Sequence, residues 1–192
     1  MSQSLRLPAL LILLVALLSI VTTHADNTSA GEFTAEQATE FADSIFPYFK
    51  AADWNSYASH LHPEALGELK DLVVGIVAVD TTGQFSTMFL GGRTPQQVQE
   101  LAPETLFVDF FESFQVLVPQ MKQIITSTES TTIGAVPENE KFHVVYRARS
   151  KMQGSEIVQV DVLTVKPHDG QLKAMLTADI QELINSLSEM IR

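Results

Sequence analysis

Apolar residues recur at two different periods along this chain, and the change between them divides it. From Thr34 the spacing is helical: Phe41, Ile45, Tyr48, Phe49 and Ala52 fall on one face. Thr34 and Gln37, three apart, predict a capping box in which each side chain satisfies a free backbone N–H. Pro47 removes a donor inside that pattern, which predicts a kink or an early end there. Asp53 caps a short second helix carrying Trp54, Tyr57 and Leu61, and Pro63 suits the first turn of a third. The end of that third helix, residues 73–79, is rich in β-branched side chains and reads equally as helix or strand. Residues 81–92 read as a loop punctuated by Gly83, Gly91 and Gly92. Thr94-Pro95 opens another helix. After a break at Pro103, residues 104–118 carry a stripe of Phe107, Phe110, Phe111, Phe114 and Val118, and Pro119 ends it.

From Lys122 the period becomes two. Four extended stretches are predicted, at 122–136, 140–152, 155–166 and 171–177. Turn chemistry separates them: Pro137-Glu138-Asn139, then Gln153-Gly154, then Pro167-His168-Asp169-Gly170. Short turns between alternating runs predict antiparallel hairpins and hence a meander. In the second stretch Phe142, Val144, Tyr146 and Ala148 share one face. His143, Val145, Arg147, Arg149 and Lys151 share the other, which reads as solvated. Strands this long must twist and bend. A final helix, capped by Thr177, places Ile180, Leu183, Ile184, Leu187 and Ile191 on its apolar side. The fold class is therefore α+β: N-terminal helices packed on a long curved antiparallel four-stranded meander, with a C-terminal helix, in one domain over residues 34–192.

Ahead of that domain stands a segment of a different kind. Arg6 precedes residues 9–21, which are apolar except for Ser19, and Thr23-His24-Ala25 supplies small residues for a cut after Ala25. This is the layout of a cleavable signal peptide, residues 1–25. The apolar run is too short for a spanning helix, which needs about 20 residues. Residues 26–33 read as a flexible leader. The chain contains no cysteine, so neither disulfides nor a lipid-modified cysteine are available. Residues 26–192 suffice to bury a core without such staples. Export without disulfides fits a bacterial periplasm or the extracellular space beyond it, and leaves the sequon Asn27-Thr28-Ser29 as coincidence.

Charge excludes some partners. Arg6 leaves with the signal while all 23 acidic residues remain, taking the net charge from −11 to near −12. The densest basic stretch is Lys141, Arg147, Arg149 and Lys151, too sparse for a phosphate backbone, so nucleic acid is not expected as a partner. An anionic membrane surface is disfavoured for the same reason.

Two stretches carry a family resemblance. Ala51-Ala52-Asp53-Trp54-Asn55-Ser56-Tyr57 followed by Leu61-His62-Pro63-Glu64-Ala65-Leu66 is similar to the openings of many exported members of the nuclear transport factor 2-like superfamily. Asp169-Gly170-Gln171-Leu172-Lys173-Ala174-Met175-Leu176, ahead of a final helix, resembles their last strand. Residues 81–118 are more helical than the compact pattern of that family. The resemblance implies a cone-shaped domain whose curved sheet wraps helices around an apolar cavity, and a homodimer formed through the open face of the sheet. Some relatives are isomerases or dehydratases with an acid/base pair in the cavity, and many others are binding or assembly modules. A shared fold does not choose between these.

The candidate chemistry is thin. His60 and His62, with Glu64, are suitable metal ligands by type, yet no second His or Cys cluster completes a site, and no metal or other cofactor is expected. Asp109 and Glu112 share a helix face, but the Phe107, Phe110 and Phe114 stripe places them on the solvated side. No cysteine and no Gly-x-Ser-x-Gly elbow offers a nucleophile. Trp54, Tyr57, Phe110, Phe114 and Tyr146 are the expected lining of an apolar ligand cavity. The leading expectation is a non-catalytic exported domain that binds a small apolar ligand or another protein. The alternative is a cavity enzyme in which the Tyr146 hydroxyl polarises a carbonyl beside an acidic partner such as Asp161.

Overall fold

The computed structural model describes residues 33–152 and 155–177, together with Ile180, Glu182 and Ser186. The expected signal peptide and all but Phe33 of the leader lie outside the described residues, as does most of the expected C-terminal helix. Seven helices come first: α1 (Ala35–Ala51), α2 (Trp54–Ser59), α3 (Pro63–Val79), α4 (Gln84–Phe89), α5 (Pro95–Glu100), α6 (Pro103–Leu117) and α7 (Pro119–Ser127). Four strands follow: β1 (Glu129–Glu138), β2 (Lys141–Met152), β3 (Ser155–His168) and β4 (Gln171–Ala174). They form one antiparallel sheet in the order β1-β2-β3-β4. The architecture is α+β, with helices ahead of an open meander.

The helix starts follow their caps. Thr34 Oγ1 accepts from the Gln37 N–H while Gln37 Oε1 accepts from the Thr34 N–H, and the same box recurs at Thr94 and Gln97. The Ser56 hydroxyl donates to Asp53 Oδ2 and the Ser56 N–H to Asp53 Oδ1, and these two bonds, the hydroxyl's first, hold the Asp53 carboxyl below the usual carboxylate range. Pro63 occupies the first turn of α3, where its missing N–H costs nothing.

Five local expectations change, one being that the last strand, expected over 171–177, ends at Ala174. Helix α1 continues past Pro47, an exposed residue, so the lost hydrogen bond falls on the solvent side of the helix. Residues 73–79 are helical: Val73, Ile76 and Val77 complete the buried stripe of Ala65, Leu66 and Leu69, and packing overrides β-branching. The expected loop at 81–92 contains α4. Asp80 builds its start, for one carboxylate oxygen accepts from the Thr82 hydroxyl at 2.7 Å and the other from the Phe85 N–H at 2.7 Å. Pro119 ends α6 but also opens α7, so residues 122–127 are helical and the first strand starts at Glu129.

Among the described residues the sheet is covered on one side only. Side chains alternate across a strand, and on the inner side Phe142, Val144, Leu163, Val165, Leu172 and Ala174 are all buried beneath the helices. Helix α1 packs on β1 and β2, α7 packs on β2, and α6 packs against α2 and α3. Fully burying a side chain such as Phe142 or Leu163 stabilises the fold by about 1.5–3 kcal/mol. The β3–β4 turn is two residues, Asp169 and Gly170, both left-handed with φ 50 and 70, and this is the turn whose twist suits a hairpin. Beyond β4 the chain at Leu61 bridges Ala174 in parallel, with the His62 N–H donating to the Ala174 carbonyl and the Ala174 N–H to the His60 carbonyl.

Candidate functional site

The same alternation that buries one side of β2 and β3 sends the other side outward. On β3, Val158 is 51% exposed, Val160 57% and Val162 42%, against 2% for Leu163 and 0% for Val165. Register sets the neighbours: Val145 lies opposite Val162, Arg147 opposite Val160, and Arg149 opposite Val158. On β1, Val136 stands opposite His143, and Ile133 sits in the bulge between Thr132 and Gly134; both are exposed. β-branched residues suit a strand, but alternating polar residues suit a wet face. An outward row of valines on the third strand and its neighbours is an apolar patch with no helix of the described residues over it.

The charge on that outer face is uneven. At the β1–β2 turn, Glu138 accepts from His143 Nε2 at 2.7 Å and pairs with Lys141 at 3.1 Å; these contacts hold its carboxyl below the ordinary glutamate value. Lys166 reaches over the β4 side to Glu64 at 2.6 Å. Glu129, in register with Arg149, pairs instead with Lys50. Among the described residues no carboxylate lies within 4.0 Å of Arg147, Arg149 or Lys151. The exposed row of valines therefore borders Arg147, Arg149 and Lys151, with Glu129 opposite Arg149 and Glu156 opposite Lys151 in register.

The residues singled out by sequence separate into three places. Trp54 and Tyr57 pack together against Phe107 and Phe111, with Trp54 and Phe111 rings 4.9 Å apart. Phe110 and Phe114 join Phe85 and Phe89, and Phe110 meets Phe111 at 5.4 Å. These four residues are buried in the helical core, where burial pushes the Tyr57 hydroxyl up to about 12. Tyr146 lies apart, on the inner side of β2, beside the Phe46 ring at 4.9 Å.

Tyr146 and Asp161, opposite each other in the β2–β3 register, do meet: the hydroxyl donates to Asp161 Oδ2 at 3.2 Å. Both side chains are half-buried. Two surface clefts, of about 310 Å³ and 590 Å³, flank β4 and share Ser59, Gln171 and Lys173. Neither is lined by Tyr146, Asp161 or the four core aromatics.

The histidines serve the backbone. His60 Nδ1–H donates to the Ser56 carbonyl at 2.7 Å, and the ring stacks on Tyr48. His62 Nδ1 accepts from the Glu64 N–H and so caps α3. Burial, then the neighbouring His168, lowers the pKa of His62. Among the described residues no group of three or more His, Cys, Asp or Glu is arranged to hold a metal ion. Asp109 is not simply solvated; it is half-buried and pairs with Arg93 at 2.7 Å, whereas Glu112 is exposed.

No protein-family model, no curated protein and no solved structure matches the chain. No helix among the described residues is long and apolar enough to cross a membrane.

Sequence reasoning placed Tyr146 on the inner face of β2, offered Asp161 as an example of an acidic partner, and placed the basic residues of β2 outward, but did not bring Tyr146 and Asp161 together. It missed that β3 is apolar on both sides. The signal was present, because residues 157, 158, 160, 162, 163 and 165 are all aliphatic. A run of that kind marks a strand covered on both faces.

Proposed function

We propose that this chain is an exported, non-catalytic interaction domain that offers the open outer face of its sheet to a protein partner. One observation carries the reading: Val158, Val160 and Val162 stand exposed in a row on a sheet whose other face is fully occupied. Monomeric proteins rarely leave contiguous apolar surface without use. Export is supported by the charged, apolar and small-residue order of residues 1–25. The resemblance to the nuclear transport factor 2-like superfamily is part of the same proposal and is supported by the two stretches quoted above and by the element order.

The test is a photo-crosslinking residue placed at Val160 in producing cells, with exposed Glu100 as the control position. The proposal expects a discrete adduct from position 160 and none from 100. Identical patterns from both positions would contradict it.

A second reading, an isomerase- or dehydratase-type enzyme, rests on the 3.2 Å contact between Tyr146 and Asp161. A hydroxyl paired with a carboxylate is the minimum for acid/base chemistry. The expected outcome of Tyr146→Phe is decisive between the readings. An enzyme loses turnover, whereas an interaction domain keeps its adduct at position 160.

A further inference from the structure

We propose that the join between β4 and the link from α2 to α3 is an acid-sensitive clasp, with the neighbouring rings of His62 and His168 as its trigger. On acidification the link lets go of β4 while the rest of the sheet stays paired.

The link holds β4 by its backbone. Leu61 forms a parallel bridge with Ala174, and both backbone polar groups of Ala174 are committed to the link. Its N–H donates to the His60 carbonyl at 2.9 Å, and its carbonyl accepts the His62 N–H at 2.8 Å. Lys173 Nζ adds a bond to the Ser59 carbonyl at 2.7 Å. Released from the link, β4 is an edge strand with open pairing groups.

The hold depends on a neutral ring. His62 Nδ1 accepts from the Glu64 N–H at 3.1 Å and caps α3. A protonated imidazole carries a hydrogen on both nitrogens and cannot accept. Its charge would also stand at the start of a 17-residue helix, the positive end of the helix dipole.

The surroundings add cations. The His168 ring, at the end of β3, lies 4.9 Å from the His62 ring. Lys166 stands two residues before His168, and Lys173 lies opposite Lys166 in the β3–β4 register. Acid therefore brings two new positive charges beside two standing ones. The carboxylates offset little of this. Glu64 lies 3.8 Å from His62 Nδ1 but is held by Lys166 at 2.6 Å. Asp169, 3.4 Å from His168, and Glu104, which lines the cleft with His168, are both exposed, and exposed pairs are worth little. His60, at the other end of the link, donates to the Ser56 carbonyl, a bond that an imidazolium also makes. The lowered pKa of His62, from burial first and His168 next, agrees with this geometry.

The experiment is amide hydrogen exchange by NMR on the full-chain protein from about pH 8 to about pH 4.5, across the ordinary histidine value. Rates are expressed as protection relative to an unstructured chain. Protection at His62 and Ala174 should fall about five-fold, which is what loss of a helix cap is worth. The fall should begin near the ordinary histidine value, where the opened link takes up its proton. Val144 and Leu163, opposite each other in the β2–β3 ladder, should keep their protection. His62→Asn, which caps without titrating, should abolish the fall at Ala174. His168→Gln should reduce the fall and raise the titration midpoint of the His62 ring. Protection at Ala174 that does not change with pH would overturn the clasp. So would an equal fall at Val144 and Leu163, which is global unfolding. A fall that survives His62→Asn, or a His62 midpoint unmoved by His168→Gln, would overturn the histidine pair as its trigger.

Discussion

The two faces of this sheet are made from the same strands, and on β3 both carry aliphatic residues, yet they have opposite fates. Inward, β2 and β3 contribute Phe142, Val144, Leu163 and Val165, each at most 2% exposed. Outward, one residue along, they contribute Val145, Val158, Val160 and Val162, of which the β3 residues are 42–57% exposed. Hydrophobicity alone does not separate the sets. What separates them is the helices: α1 and α7 lie on one side, and nothing among the described residues covers the other. The inner face is consumed by folding. The outer face keeps its apolar surface exposed, and that surface is what the proposed partner would use.

Substitutions that treat the faces alike should therefore give unlike results. The largest effect is expected at Phe142→Ala, where an aromatic ring is removed from the packed side. Its cost should be about 3–5 kcal/mol, read as a lower urea midpoint at unchanged slope. A loss under about 1 kcal/mol would mean that the inner face is not the closed core described here.

Tyr146→Phe sits on the same side but removes only a hydroxyl bonded to Asp161. About 1 kcal/mol should be lost, also by urea unfolding.

The third prediction concerns the margin where Leu61 seals β4. The pKa of His62 is lowered by burial and by His168, while Glu64 acts in the opposite sense and Lys166 and Lys173 reinforce the lowering. The ring must be neutral to accept the Glu64 N–H. Its contribution is therefore complete above the unfolded value near 6.5 and is lost as pH falls through the lowered folded value. The thermal midpoint should drop over that acid range, and the part due to His62 should vanish in His62→Asn, which caps at any pH. An identical pH profile in the variant would remove His62 from the account.

The smallest effect is expected on the outer face. Val160→Thr should change stability by no more than about 0.5 kcal/mol, since the side chain packs against no helix. A core-sized loss there would erase the distinction between the faces.

Much of this arrangement was legible along the chain. Caps at Thr34, Asp53 and Thr94 and the proline at 63 marked helix starts, because each acts through neighbours three residues away or fewer. The Asp169-Gly170 turn was legible for the same reason. Alternation put Tyr146 on the inner face and named Asp161 as an acidic partner, but their meeting depends on the β2–β3 register, which no local pattern gives. The misreadings fall where one residue serves two elements or where contacts are long in range. Pro119 both ends α6 and begins α7, and the β-branched run from Ile124 hides the helical spacing of Met121, Ile124 and Ile125. Short α4 depends on the Asp80 carboxylate reaching forward to Phe85. The expected cavity lining divided because Trp54, Tyr57, Phe110 and Phe114 pack with Phe85, Phe89, Phe107 and Phe111 across helices, a placement no local pattern specifies. Nor does periodicity reveal that one apolar side of β3 has no cover among the described residues.

The most direct test of the contrast is Val160→Asp in a chain carrying the photo-crosslinker at Val158, with folding and adduct formation read on the same protein. The account predicts that unfolding shifts by no more than about 1 kcal/mol, the range of strand preferences, while the adduct disappears. A variant that unfolds like Phe142→Ala, or one that folds normally and keeps its adduct, would contradict the claim that this face exists for a partner.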